Sequence, residues 1–223
     1  MNKGKLIVIE GLDGSGKATQ TAMLTNTFLN KTRNVKKVSF PDYKNPSSSL
    51  VKMYLNGELG GKPDDVNAYA ASSFYAVDRY ASYKQFWQND YENGKIIIAD
   101  RYTTSNAIYQ LSKIKSENWC DFLKWLEYYE YELLGLPKPD AVIYLDMPIE
   151  ISQKLLTERY NGDDEKKDLH ESNFMFLQQC RKSALYSAEK LGWSIVKCAD
   201  GDKPRTIEDI HCEVLKLVEM MIE

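Results

Sequence analysis

Five short apolar runs punctuate the chain: KLIVIE (5–10), KKVSF (36–40), KIIIAD (95–100), AVIYLD (141–146) and WSIVKC (193–198). Each is rich in Val and Ile, the pattern of strands buried on both faces. Between them the hydrophobic spacing predicts helices over about 17–30, 63–93, 104–113, 118–134, 149–158, 169–191 and 206–222. In the last, Ile207, Ile210, Val214, Leu217, Val218 and Met221 form one stripe, which reads as core and not as chemistry. Strands alternating with helices predict an α/β fold: a parallel five-stranded sheet with helices on both faces, spanning residues 1–223 as one domain. The segments 43–49 and 56–65 are rich in Gly, Ser and Pro and read as loops. The charged stretch 159–168 reads, on composition alone, as a solvated loop.

Composition narrows the class. Hydrophobic residues make up 43% and charged residues 27%, as in soluble globular proteins. A net charge of −3 argues against a general nucleic-acid binder, so any basic cluster must be local. The four cysteines form no C-x-x-C pair and only two histidines exist, which argues against zinc and for scattered reduced thiols. With no leader-like or membrane-spanning run, the expected place is the cytoplasm, away from membranes.

The chemistry begins at GLDGSGKATQ (11–20). Gly11, Gly14 and Gly16 follow a strand, and a helix is predicted from Lys17. Strand, glycine loop and helix together make a phosphate cradle of backbone N–H groups, and Lys17 can reach the outer phosphates. The pattern next asks for a hydroxyl that holds Mg²⁺. Ala18 stands there, with Thr19 one step late. Neither an N-K-x-D nor a D-x-x-G follows, which argues against a signalling GTPase.

Two strands end in an acid, Asp100 and Asp146. Asp100 is the better candidate for Mg²⁺, because Arg101 follows it and can fork onto a second phosphate. Asp146 is expected to start the next helix. Tyr75 and Arg79 lie four apart on one helix face. They suit either a flat base or a half-buried Tyr beside an Arg paired to a surface acid. Asn106, with its donor and acceptor, suits a base edge; Ser105 and Tyr109 flank it.

Six stretches now fall in order: IEGLDGSGKATQ (9–20), FPDY (40–43), YAVDRY (75–80), DRYTTSNAIYQ (100–110), GLPKPD (135–140) and KKDLHE (166–171). Together they resemble the thymidylate kinase family from residue 5 to about 171; beyond about 190 only the strand-then-helix plan matches. The resemblance implies a P-loop NTPase of adenylate-kinase-like fold, a nucleoside monophosphate kinase that moves the γ-phosphate of ATP onto dTMP with Mg²⁺, as a homodimer. It implies that Gly11, Gly14, Ser15, Gly16, Lys17, Ala18 and Thr19 hold ATP phosphates. Asp13 and Tyr43 lie near the acceptor phosphate, Arg101 clamps it and Asp100 organises the metal. Phe40, Pro41 and Ser105 belong to the dTMP pocket. Tyr75 stacks on thymine, Arg79 and Asn106 read its edge, and Tyr109 crowds the 2′ position. The charged stretch 159–168 becomes a lid whose Arg159, Lys166 and Lys167 cover ATP, since Gly14 stands where some relatives carry Arg. Lys17, Asp13, Arg101 and Arg159 are then the catalytic set.

Three departures accompany the resemblance: Ala18, Tyr75 where Phe is usual, and Asp42 where many relatives carry Arg. Two other readings stand beside it. One is a related mononucleotide or deoxynucleoside kinase with a different base. The other is a weakly catalytic nucleotide sensor, supported only by Ala18. The segment 200–206 is a candidate adenine-side loop.

Overall fold

A computed structural model of the protein describes residues 3–31, 34–159 and 173–222, with Arg159 described in its backbone alone. Its centre is a parallel sheet of β1 (Leu6–Gly11), β2 (Val35–Ser39), β3 (Ile96–Asp100), β4 (Ala141–Asp146) and β5 (Ser194–Lys197). The strand order is β2-β3-β1-β4-β5. Every residue of β1 and of β4 is buried, as their unbroken apolar runs require. Alternation sorts the side chains between two cores. Leu6, Val8, Ala99 and Tyr144 face one, and Ile7, Ile9, Ile98 and Ile143 face the other.

The second core is closed by α1 (Lys17–Asn30) and α9 (Ile207–Ile222) through Leu24, Phe28, Ile210, Val214 and Val218. Each such side chain contributes roughly 1.5–3 kcal/mol when fully buried. Of the stripe expected in α9, Ile207 is half exposed, because it sits at the helix start beyond the sheet. The first core is closed by α5 (Asn106–Tyr109), α6 (Trp119–Glu127) and α8 (Phe174–Leu191). Between them, α7 (Ile149–Arg159) follows β4.

Two expected helices change shape. The helix predicted from 63 begins at α3 (Ala68–Ser82). Pro63–Asp65 forms its own 3₁₀ turn, Val66 is extended, and the Asn67 side chain accepts from the Ala70 N–H at 2.9 Å to start α3. α3 then widens into a π-helical turn, Tyr83–Trp87, before α4 (Gln88–Glu92). The helix predicted over 104–113 is a single turn, α5, between two 3₁₀ turns, because the hydroxyls before it bond to buried acids. A short helix, α2 (Ser49–Leu55), was not foreseen; Asn45 caps the turn leading into it. The 200–206 loop opens on a narrow ribbon of β6 (Ala199–Asp200) and β7 (Lys203–Pro204).

Candidate active site

The crevice lies where β1, β2, β3 and β4 end. The register pairs Ile9 and Ser39 with Asp100, and Gly11 with Leu145, so the segments that follow these strands converge. The loop from Gly11 to Gly16 turns there. Gly14 has φ +80, and a Cβ on it would lie 2.5 Å from the Ser152 carbonyl oxygen of α7. A side chain at this position would therefore push α7 off the loop. Gly16 is the left-handed N-cap of α1, with no side-chain cap and no acid in the first turn. The helix N-terminus thus presents N–H donors and partial positive charge to the crevice. Ser15 Oγ is buried there without a hydrogen-bond partner among the described residues.

Lys17 folds back over the loop. Its Nζ donates to the Leu12 carbonyl at 2.7 Å and lies 3.6 Å from Asp13 Oδ1. Burial, and then the charge of Arg101, lower its pKa; Asp13, Asp100 and Glu10 oppose them.

Arg101 reaches the same carboxylate. It donates to Asp13 Oδ1 and, at 3.2 Å, to the Tyr109 hydroxyl. That hydroxyl donates to Asp13 Oδ2 at 2.9 Å. Burial would lower the Arg101 pKa, but Asp13 overrides it and holds the guanidinium firmly charged. Burial also pushes the Tyr109 phenol well up, keeping it a donor. Arg101 holds a left-handed backbone at φ +67, which costs roughly 1–2 kcal/mol for a residue with a Cβ. Fully buried Glu10 grips the turn beyond it, accepting from Tyr102 N–H at 3.2 Å, Thr104 Oγ1 at 2.7 Å and Ser105 Oγ at 2.9 Å. Burial raises the Glu10 pKa, against Arg101 and these hydroxyls.

Behind this triad a cavity of about 600 Å³ opens. Asp13, Gly14, Gly16, Lys17, Ala18 and Thr19 line one side. Phe40, Pro41, Tyr43, Tyr75, Arg79, Asp100, Arg101, Ser105, Asn106 and Tyr109 line the rest. Of the site residues expected within the described chain, Gly11 and Ser15 lie behind this wall and Arg159 has no described side chain; Lys166 and Lys167 lie outside the described residues. Ser39, Leu55, Tyr102, Gln110, Leu155 and Leu156 join the wall unforeseen, because neutral or apolar residues carry no chemical signature in a sequence.

Besides Glu10, two buried acids were missed. Asp78 accepts from the Asp42 N–H at 2.9 Å and from Ser47 Oγ at 2.6 Å, which fastens the loop carrying Pro41 and Tyr43 to α3. Glu130, in the π-helical turn Tyr128–Leu133, binds Arg79 and Asn106. Arg79 is thus ion-paired, but to a fully buried acid and not a surface one. Burial would lower its pKa, and Glu130 raises it above the usual value. Glu130 was visible in one respect: it continues the buried stripe Trp119, Phe122, Leu123, Leu126 where an apolar residue belongs. Asp146 does not start α7 as expected. It pairs bidentately with Arg181 of α8, which packs beside β4, at 2.7 and 3.0 Å.

The residues fit a hard cation held mainly by phosphates. Among the described residues no group of three or more His, Cys, Asp or Glu could cage a metal. Asp100 lines the cavity, its carboxylate without a hydrogen-bond partner among the described residues, and it acts electrostatically on Lys17. Mg²⁺ keeps several waters and needs one or two carboxylates beside a nucleotide. Among the described residues, no helix is long and apolar enough to cross a membrane.

Comparison with known proteins agrees with this geometry. The family model described as thymidylate kinase matches residues 9–211. The thymidylate kinase of Mycobacterium tuberculosis is 30% identical over 205 residues, covering 90% of this chain and 94% of that protein. That of Schizosaccharomyces pombe is 26% identical over 219 residues, covering 97% and 92%. The solved thymidylate kinase of Candida albicans superposes with a TM-score of 0.70 at 24% identity over 98% of this chain and 92% of that one, which establishes the P-loop NTPase fold.

Proposed function

The chain belongs to the thymidylate kinase family and phosphorylates dTMP in nucleotide biosynthesis, and from that premise we propose how its own residues carry the reaction. One observation supports the assignment most: Lys17 and Arg101 both pair with the carboxylate of Asp13, where the phosphate loop meets the cavity. Lys17 and the backbone from Gly11 to Thr19 hold the phosphates of ATP, the donor. Arg101 turns its fork to the phosphate of dTMP, with Tyr43 near it. Asp13 steadies both cations until the substrates arrive, then sits beside the acceptor oxygen. Phosphoryl transfer asks the protein mainly for position and positive charge. Lys17, Arg101 and, from the lid, Arg159, Lys166 and Lys167 supply that charge.

Phe40, Pro41 and Tyr75 enclose the base, Arg79 and Asn106 face its edge, and Ser105, held by Glu10, closes the floor. Tyr109, fastened to Asp13 and Arg101, crowds the 2′ position and favours deoxyribose. Asp100 would help hold Mg²⁺, which would supply positive charge to screen the phosphates when bound. The same proposal places the enzyme in the cytoplasm, in keeping with its free thiols. It also makes the enzyme a homodimer, through the side of α3 where Val77 and Tyr80 are exposed; light scattering would read twice the chain mass.

The test is Arg101→Ala. The expected result is a fall in kcat/KM for dTMP of about 100-fold or more, with KM for ATP changed less than about threefold. Unchanged kcat/KM for dTMP would remove Arg101 from the site.

A further inference from the structure

A residue outside the cavity organises its base side. Glu130 has none of its surface exposed and does not line the wall. Its oxygens accept from Arg79 Nε at 2.7 Å, Arg79 Nη2 at 2.5 Å, Thr103 Oγ1 at 2.9 Å and Asn106 Nδ2 at 2.9 Å. Asn106 Nδ2 also donates to the Ser72 carbonyl at 3.2 Å. A carboxylate accepts and cannot donate. Asn106 must therefore turn its amide nitrogen inward, which leaves its carbonyl oxygen as the polar atom still available. The Nε edge of Arg79 is likewise spent on Glu130, and Nη1 reaches the Tyr102 carbonyl at 3.3 Å.

A buried ion pair is weak evidence for stability, since apolar side chains of equal volume often serve as well. A fully satisfied polar network does fix one arrangement of its members. We propose that Glu130 is the positioning residue that sets which base the site accepts. It holds Asn106 as an acceptor and Arg79 as a donor at the cavity wall. That pair complements the N3–H and O4 of thymine and opposes the bare N3 and the N4 amino group of cytosine. The inference rests on the reading that Arg79 and Asn106 face the base.

Glu130→Gln tests it. The carboxamide has the same shape but turns a donor toward Arg79 or Asn106, so the Asn106 amide loses its fixed orientation. The expected result is a fall of about tenfold or more in the kcat/KM ratio of dTMP over dCMP, mostly through a higher KM for dTMP, with KM for ATP unchanged. In an Asn106→Ala background the same substitution should move that ratio clearly less than in the wild type, because one of its two targets is gone and only Arg79 remains. An unchanged ratio in folded Glu130→Gln overturns the inference. Should that variant not fold, Thr103→Val removes one of the hydrogen bonds to Glu130 from outside the cavity; an expected fall of about threefold supports the proposal, and no change overturns it. Loss of dTMP turnover in Asn106→Ala with no effect of Glu130→Gln would defeat this inference alone. Unchanged dTMP kinetics in Asn106→Ala would defeat the base-facing reading itself.

Discussion

Ala18 opens the first turn of α1, exposed at the mouth of the cavity, where many phosphate loops carry a hydroxyl. On the proposed reading, one more water would take that hydroxyl's place beside a bound Mg²⁺, with Asp100 nearby. Ala18→Thr is therefore expected to change kcat by less than about tenfold, or ~1.4 kcal/mol of barrier. A much larger gain would mean that the native site is impaired. Lys113 makes a second single-residue test. Its Nζ donates to Tyr54 Oη at 2.7 Å and to the Val66 carbonyl at 3.1 Å, and burial lowers its pKa from 10.5 to about 8. The folded chain thus binds this proton more weakly than the unfolded one, so its penalty is full below pH 8 and fades toward pH 10.5. Urea unfolding at pH 7.5 and 9.5 should show wild type gaining about 1–2 kcal/mol relative to Lys113→Met. Equal gains would contradict the shift. At this scale the sequence was legible where residue type and motif coincide, as at Lys17, Asp13, Arg101 and Tyr109. Glu130 and Asp78 were not, because their partners lie far along the chain and only the fold pairs them.

The loop between β1 and α1 works only if α7 can lie against it. Gly14→Ala should lower the melting temperature by about 4 °C or more, since its Cβ meets the Ser152 carbonyl as well as a strained backbone. Gly16→Ala adds the backbone strain alone, because nothing lies within 4 Å of its Cβ, and should cost less. The opposite ranking, by scanning calorimetry, would contradict this packing. The five strands of the central sheet were legible to within a residue or so: double-sided burial writes an uninterrupted apolar run in β1 and β4, whereas β2 and β5, at the sheet edges, are mostly not buried, against the expectation of strands buried on both faces. Helices around the site were not. Hydroxyls that bond to Glu10 and Glu130 shorten α5, and Val66 with Asn67 delays α3. Both choices depend on tertiary partners that no local pattern contains. α2 was hidden differently: its Asn-Pro-Ser-Ser entry reads as a loop although it caps a turn.

On the proposed reading the task is divided between the crevice at the strand ends and the basic residues that follow α7 in the sequence. Charge supplied by that segment should act in the transition state more than in binding. Arg159→Ala is therefore expected to lower kcat about 100-fold with KM for dTMP changed less than about threefold. Equal kcat would move the role to Lys166 or Lys167. The crevice was legible because the glycine loop and the acid-Arg pair each follow a strand, whereas Leu55, Leu155 and Leu156 of its wall are apolar and silent in sequence; the basic stretch lies outside the described residues. The most direct measurement is ADP release with ATP and Mg²⁺ against dTMP, dUMP, UMP, dCMP, dGMP and thymidine, each alone. The expected result is the highest kcat/KM on dTMP, at least about tenfold above dCMP, and none on thymidine, which offers no phosphate to Arg101. Preference for another acceptor, or tight nucleotide binding without turnover, would contradict it.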